Sequence, residues 1–167
     1  MSLPHPDLEP ISVKCGVITV SDTRTLQNDR SGAIIRDSLT VEGHVVILYL
    51  IVPDEPTQIQ SLLNQLGKQD EIEAVIFNGG TGIAPRDTTY DALAPLLEKT
   101  ISGFGELFRY LSYAEIGSRS MASRAIAGVY KNKLIFSLPG SSNAVALALE
   151  KLILPELRHL VGQLKPS

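Results

Sequence analysis

Three glycines within four residues, Gly79, Gly80 and Gly82, constrain this chain more than any other feature of its sequence. They follow an apolar run, Ala74–Phe77, that is typical of a buried strand, and Thr81 adds a hydroxyl between them. Glycine lets a backbone turn sharply and present its N–H groups to a ligand that a Cβ would obstruct. Loops at the carboxyl ends of strands bind ligands in open α/β sheets. The pattern therefore predicts an anion-binding loop, and a plain tight turn is the alternative.

Strand-like and helix-like segments alternate along the first half of the chain. We predict strands at Lys14–Val20, Val45–Val52 and Ala74–Asn78, with helices between them at Ser31–Glu42 and Glu55–Gly67. This β-α-β-α-β order predicts an α/β fold with a mostly parallel sheet. The second strand is almost wholly apolar, which predicts that both of its faces are covered.

The second half of the chain predicts one antiparallel strand in the same sheet. Residues Lys131 and Asn132 form a tight-turn signal between two strand candidates, Ala125–Tyr130 and Lys133–Leu138. The remaining predicted helices are Asp91–Leu97, Gly103–Tyr113, Ser142–Lys151 and Pro155–Leu164. With no repeat or linker, we expect a flexible tail over residues 1–11 and a single domain over residues 12–167.

Composition excludes several classes of function. The 167 residues are 44% hydrophobic and 20% charged, with a net charge of −3, so broad nucleic-acid binding is not expected. The single cysteine, Cys15, cannot form an intrachain disulfide, and no cysteine–histidine cluster has metal-ligand spacing. No apolar stretch is long enough to span a membrane and no export signal is visible, so we expect a cytoplasmic protein.

Polar side chains follow each of the first three predicted strands. Ser21 and Asp22 follow the first strand, Asp54 follows the second, and Asp87 closes the glycine loop after the third. Parallel strands end at the same edge of a sheet, so we expect these side chains to meet there. Carboxylates beside a phosphate-binding loop are suited to Mg²⁺ and a nucleotide. The alternative is that Asp54 and Asp87 only cap the helices that follow them.

A second loop has a similar composition. The run Pro139-Gly140-Ser141-Ser142-Asn143 lies between a predicted strand and a predicted helix, where N–H groups and hydroxyls bind anions. An ordinary serine cap is the alternative. Arg124, beside Ser123, is a further candidate for anion binding, although a lone arginine is more often solvated. The candidate binding residues from these two segments are Ser123, Arg124, Pro139, Gly140, Ser141 and Asn143.

Four motifs resemble the MoaB/MogA family of molybdenum cofactor biosynthesis proteins. They are Gly79-Gly-Thr-Gly-Ile-Ala-Pro-Arg-Asp87, Ser102-Gly-Phe-Gly-Glu-Leu-Phe-Arg109, Ser123-Arg-Ala-Ile-Ala-Gly128 and Leu138-Pro-Gly140. The resemblance extends from Lys14 to about Leu164. The short chain and the segment ending Arg-Tyr-Leu-Ser-Tyr113 resemble the MoaB branch more than the MogA branch.

The resemblance implies a three-layer α/β/α sandwich that forms trimers or hexamers and binds molybdopterin. Active members of the family adenylylate molybdopterin with Mg-ATP before molybdate is inserted. The two important aspartates of the family match Asp54 and Asp87, which would carry catalysis and hold Mg²⁺. Its phosphate and nucleotide contact matches Gly79–Gly82, and a pocket-lining loop matches Pro139–Asn143. Other proteins of molybdenum cofactor biosynthesis are implied as partners.

The chain departs from the family pattern in two places. Tyr90 stands where the family has proline after the second aspartate, and Ser142 stands where several relatives have a second proline. Three functions remain open from the sequence. The chain is an adenylyltransferase, a molybdopterin carrier without chemistry, or a general nucleotide-binding regulator.

Overall fold

The structure is a computed structural model that describes residues 11–166. All but one residue of the predicted tail lie outside this range, so the tail stays a prediction. The strands are β1 Lys14–Val20, β2 Val45–Val52, β3 Ala74–Asn78, β4 Lys99–Thr100, β5 Ile126–Tyr130 and β6 Lys133–Leu138. The α-helices are α1 Arg30–Val41, α2 Pro56–Gly67, α3 Thr89–Leu93, α4 Ser102–Ile116, α5 Ser142–Ala148 and α6 Leu154–Leu164.

The strands form one sheet of six, in the order β2-β1-β3-β6-β5-β4. Strands β2, β1, β3 and β6 are parallel to one another, whereas β5 pairs antiparallel with both β6 and β4. This confirms the predicted mostly parallel sheet with one antiparallel strand. The chain moves from β1 outward to β2 and returns to β3 on the other side of β1. That reversal puts a topological switch point between β1 and β3, where open α/β sheets bind ligands.

Helices cover both faces of the sheet because successive strand residues point to opposite sides. In β1, Val17 packs into a core shared with α1, α4, α5 and α6, while Ile18 packs into a second core shared with α2 and α3. The apolar stripe of α2 illustrates the rule, since Ile59, Leu63 and Leu66 recur at helical spacing and are fully buried. The three-layer α/β/α sandwich is confirmed.

The hairpin between β5 and β6 follows directly from its turn residues. Lys131 and Asn132 have φ of 47° and 62°, the left-handed values that a two-residue hairpin turn requires. No helix within residues 11–166 is long and apolar enough to cross a membrane.

The structure differs from the expectations about local structure in three places. β2 is an edge strand, not a strand covered on both faces, because it pairs with β1 alone and leaves Val45 46% and Ile47 38% exposed. The predicted helix Asp91–Leu97 is α3 followed by a 3₁₀ turn at Ala94–Leu96. The last two helices are continuous through a π-helical turn, Leu149–Ile153.

Candidate ligand site at the carboxyl edge of the sheet

The glycine loop adopts a backbone that other residues would disfavour. Gly79 and Gly80 have φ of 103° and 69°. A Cβ on Gly79 would stand 2.3 Å from the carbonyl oxygen of Val20, and a Cβ on Gly80 would stand 2.3 Å from Thr89 Oγ1. The loop therefore lies directly against the end of β1 and the start of α3, as the glycine pattern predicted.

Asp54 joins the loop after β2 to the glycine loop. Its Oδ1 accepts hydrogen bonds from the backbone N–H of Thr88, at 3.1 Å, and from the Thr88 hydroxyl. The interpretation of Asp54 as the cap of its own helix was wrong, because Glu55 is the N-cap residue of α2. Among the described residues, Asp54 Oδ2 accepts no hydrogen bond and lies beside Gly80 of the glycine loop.

Asp87 closes the glycine loop on itself. Its Oδ2 accepts a hydrogen bond of 3.1 Å from the backbone N–H of Ala84. The interpretation of Asp87 as a helix cap was wrong too, since Thr88 is the N-cap residue of α3. Within residues 11–166, Asp87 Oδ1 accepts no hydrogen bond, so this side chain keeps one oxygen for a ligand.

The loop after β1 joins the same cluster. Asp22 accepts a 3.1 Å hydrogen bond from the backbone N–H of Asp54 and forms an ion pair with Arg86. The hydrogen bond from Arg86, followed by that from the Asp54 N–H, lowers the pKa of Asp22. Ser21 Oγ accepts from the backbone N–H of Arg24 at 3.0 Å. The three loops thus meet at one edge, as parallel strands predict.

Arg124 stabilises the glycine loop through hydrogen bonds to its backbone. It donates to the carbonyl oxygens of Gly82, at 3.0 Å, and Asp87, at 2.9 Å, and pairs with Asp91 at 2.9 Å. Its guanidinium carbon also lies 5.0 Å from the ring centroid of Tyr90. Protein groups therefore occupy most of its donors. Tyr90, the departure from the family pattern, packs on this arginine.

Among the residues that the structure describes, this edge of the sheet has two cavities. One of about 390 Å³ lies beside Arg124, and the other, of about 320 Å³, lies between the glycine loop and the loop that follows β6. Its size is within the usual range for small-molecule sites. Eight of the predicted site residues line this second cavity: Gly80, Thr81, Gly82, Asp87, Ser123, Pro139, Gly140 and Ser141. Helix α4 completes its wall with Phe108, Ser112 and Ile116. The sequence indicated Phe108 only as part of a predicted helix and did not single out Ser112 or Ile116, so sequence reasoning missed this wall.

Ser141 caps a helix and faces the cavity, whereas its role in anion binding stays a prediction. It is the N-cap residue of α5 and accepts a 3.2 Å hydrogen bond from Ala144 N, and it also lines the cavity. Asn143 lies in the first turn of α5 and is not one of the lining residues.

A buried polar group that sequence reasoning missed supports the second loop. Asp29 is 1% exposed and accepts hydrogen bonds from the Tyr49 hydroxyl, at 2.6 Å, and from Gly32 N, at 3.0 Å. Burial and the hydrogen bond to Asp29 raise the pKa of Tyr49. Arg24 lies beside Asp29 and donates to the carbonyl oxygen of Gly140 at 3.1 Å. Asp29 before a helix start was the available signal, since aspartate is a preferred N-cap residue.

The fold and the site define an α/β protein with a small-molecule cavity between two loops at the carboxyl edge of its sheet. The chain matches the protein family described as "Probable molybdopterin binding domain" over residues 16–159. Because the match covers most of the chain, the protein belongs to this family. The resemblance found in its motifs is confirmed.

Relatives that match over nearly the whole of both chains support membership of this family. The molybdenum cofactor biosynthesis protein B of Halalkalibacterium halodurans is 50% identical over 161 residues, which cover 96% of this chain and 95% of that protein. A crystal structure of a molybdenum cofactor biosynthesis protein B has 48% identity and a TM-score of 0.90, covering 93% of this chain and 98% of the other. The tungsten cofactor synthesizing protein MoaB of Pyrococcus furiosus has 36% identity and a TM-score of 0.84, covering 95% and 100%.

Proposed function

We propose that this protein adenylylates molybdopterin with Mg-ATP. A phosphate oxygen of molybdopterin attacks the α-phosphorus of ATP, a new P–O bond forms, and the bond to the leaving pyrophosphate breaks. The observation that carries the proposal is the pair Asp54 and Asp87. Each is anchored through one carboxylate oxygen and keeps the other free of hydrogen bonds within residues 11–166. Phosphoryl and nucleotidyl transfer depends mainly on such positioning and on charge stabilisation.

The cavity is suited to a molecule with an apolar, planar part and a phosphate. Phe108 and Ile116 supply apolar surface on one side, and the two loops supply polar groups on the other. The backbone N–H groups of Thr81 and Gly82 make no hydrogen bond with described residues, so they can donate to phosphate oxygens. Such fixed donors stabilise charge that develops in a transition state.

The donor chemistry also fits Mg²⁺ bound together with a nucleotide. The free oxygens of Asp54 and Asp87 are hard donors, and Mg²⁺ in nucleotide sites takes one or two carboxylates together with phosphate oxygens. Residues 11–166 contain no group of three or more acidic, histidine or cysteine side chains that could hold a metal alone. Mg²⁺ would neutralise phosphate charge there, with Asp54 and Asp87 holding it.

One observation favours a carrier without chemistry as the second candidate. The anchored oxygens of Asp54 and Asp87 accept bonds from Thr88 and Ala84, so both side chains also stabilise the loops. A protein that only binds molybdopterin would need those bonds and not the free oxygens.

Substitution of the two aspartates by asparagine separates the candidates. In assays with molybdopterin, ATP and Mg²⁺, we expect Asp54→Asn and Asp87→Asn to lower pyrophosphate release by roughly 100-fold or more. Asp37→Asn is the matched control, because Asp37 is an exposed aspartate on α1. Undiminished turnover in Asp87→Asn, with normal folding, would contradict the proposed role. Tight pterin binding by every variant, with no product from any, would favour the carrier.

We further propose assembly into trimers or hexamers. Large apolar side chains are exposed on β2 and on α4, including Val45, Ile47 and Tyr110, which is 76% exposed. Exposed apolar side chains on these elements are candidates for contact with a neighbouring subunit. Sedimentation equilibrium gives the subunit number directly, and a monomer at micromolar concentration would contradict the proposal.

A further inference from the structure

Arg24 crosses the carboxyl ends of three strands in the middle of the sheet. Its backbone N–H bonds to Ser21 Oγ after β1, and its Nη2 donates to the carbonyl oxygen of Gly140 after β6, at 3.1 Å. Since β3 lies between β1 and β6, the side chain passes over the glycine loop that follows β3. It therefore lies at the switch point between β1 and β3, where this class of sheet binds ligands.

The guanidinium of Arg24 is fixed in place and still has unused donors. Its Nη1 lies 3.6 Å from Asp29 Oδ1, which is longer than a hydrogen bond, and its side chain is 35% exposed. Asp29 itself is held by Tyr49 and Gly32. Within residues 11–166, neither Nε nor Nη1 of Arg24 donates a hydrogen bond. A preorganised guanidinium with free N–H groups matches the geometry of phosphate oxygens.

The other arginines of this edge are more fully occupied. Arg124 is bonded to Gly82, Asp87 and Asp91. Arg86 donates both Nε and Nη2 to Asp22. An anionic ligand that approaches these carboxylates meets repulsion, so it needs a cation whose donors are not already taken by the protein.

Arg24 lies next to the cavity wall, beside Gly140, although it is not itself one of the lining residues. Gly140 lines the cavity, and a Cβ built on it would stand 3.9 Å from Arg24 Nη1 and 3.3 Å from the Cα of Gly79. Because residue 140 is glycine, it has no side chain that could shield the Arg24 guanidinium from a ligand.

We propose that Arg24 binds a phosphate or diphosphate group of the ligand, and that Asp29 and Tyr49 hold its guanidinium over the switch point. The ligand's identity rests on the proposed function. The anion contact itself can be measured without the reaction.

The test titrates inorganic pyrophosphate into the full-length protein by calorimetry at low ionic strength. We expect Arg24→Gln to weaken binding by about 10- to 100-fold, the range for a charge-assisted hydrogen bond. Arg24→Lys keeps the charge but lacks the planar guanidinium, so its pyrophosphate affinity should lie between those of the wild type and Arg24→Gln. Arg30→Gln is the matched control, since it removes the same charge from an exposed residue nearby. Unchanged binding in Arg24→Gln, or an equal loss in Arg30→Gln, would overturn the proposal.

The salt dependence of pyrophosphate affinity shows whether Arg24 contacts the anion or only holds the loop in place. An arginine that pairs with the anion makes the affinity fall with added salt, so Arg24→Gln should flatten that dependence. Tyr49→Phe keeps every charge and loosens only the support of Asp29, so it should weaken binding slightly with the slope retained. A loss of affinity in Arg24→Gln with an unchanged slope would show loop displacement and overturn the inference. Circular dichroism checks that each variant is folded.

The two proposals can fail separately. Arg24-dependent pyrophosphate binding by a protein that makes no adenylylated pterin would refute the enzyme and support the anion contact. A wild-type protein that makes product, but whose pyrophosphate binding is absent or insensitive to Arg24→Gln, would do the reverse.

Discussion

The two ends of the sheet both carry charged residues, and these residues differ in whether the protein satisfies their polar atoms. At the amino end, Lys133 is 4% exposed and its Nζ donates to the carbonyl oxygens of Gln69, at 2.8 Å, and Ile72, at 2.9 Å. Lys165 pairs with Glu73 there at 3.2 Å. At the carboxyl end, Asp54 and Asp87 each keep an oxygen without a hydrogen bond among the described residues. Structural charges are satisfied internally, whereas a binding site leaves some of its atoms open to a ligand.

Substitution of a loop glycine should have the largest effect, because it damages the carboxyl end directly. Gly80→Ala puts a Cβ 2.3 Å from Thr89 Oγ1 at a φ of 69°, so we expect a loss of about 1–3 kcal/mol in the free energy of unfolding and loss of ligand binding. Gly103→Ala is the control, because nothing lies within 4 Å of its Cβ. Urea denaturation measures both variants, and equal stability of the two would contradict the strain.

Loss of the buried amine should destabilise the protein while sparing the site. Lys133→Met leaves the carbonyl oxygen of Ile72 without its side-chain donor and removes one of two donors from that of Gln69, which costs about 1–3 kcal/mol. Pyrophosphate and pterin affinities should stay at wild-type values, since the amine lies at the opposite end of the sheet. If Lys133→Met bound these ligands more weakly but unfolded with the wild-type free energy, the contrast between the two ends of the sheet would be wrong.

Protonation of His44 at the amino end should lower the free energy of unfolding in acid. We expect this effect to be smaller than those of the Gly80 and Lys133 substitutions. His44 is 3% exposed, its Nδ1 accepts from Val13 N at 3.0 Å, and burial, then Arg158, lower its pKa. A lowered folded pKa means that stability is fully present above the unfolded value of about 6.5 and is lost as the pH falls through the folded value. His44→Asn, which retains an acceptor, should flatten the fall of unfolding free energy below about pH 6.5. A variant with the wild-type pH profile would exclude His44 as the cause.

The sequence predicted elements whose signals are local. Strands β1, β3 and β6 were predicted because each is a short apolar run, and the meeting of Asp22, Asp54 and Asp87 followed from parallel strands ending together. The two-residue strand β4 was missed because it is too short to carry a periodic pattern. The exposure of β2 was missed because apolar composition alone does not distinguish an edge strand from a central one.

Contacts between distant residues could not be predicted from the sequence. The bond from Thr88 to Asp54 joins residues 34 positions apart, and the bond from Arg24 to Gly140 joins residues 116 apart. Such pairs depend on the exact path of loops, which have no periodic signal. The expectation of molybdopterin came from the motif resemblance alone, whereas the expectation of Mg²⁺ and a nucleotide also followed from the carboxylates beside the glycine loop.

The most direct test of the open carboxyl edge is transfer of label from ATP carrying a radioactive α-phosphate. The wild-type protein is incubated with Mg²⁺ and with or without molybdopterin, and labelled pterin and pyrophosphate are measured together. We predict labelled pterin, with equimolar pyrophosphate, only when molybdopterin is present, and its loss in Asp87→Asn. Tight molybdopterin binding with no label transferred by the wild-type protein would contradict the account.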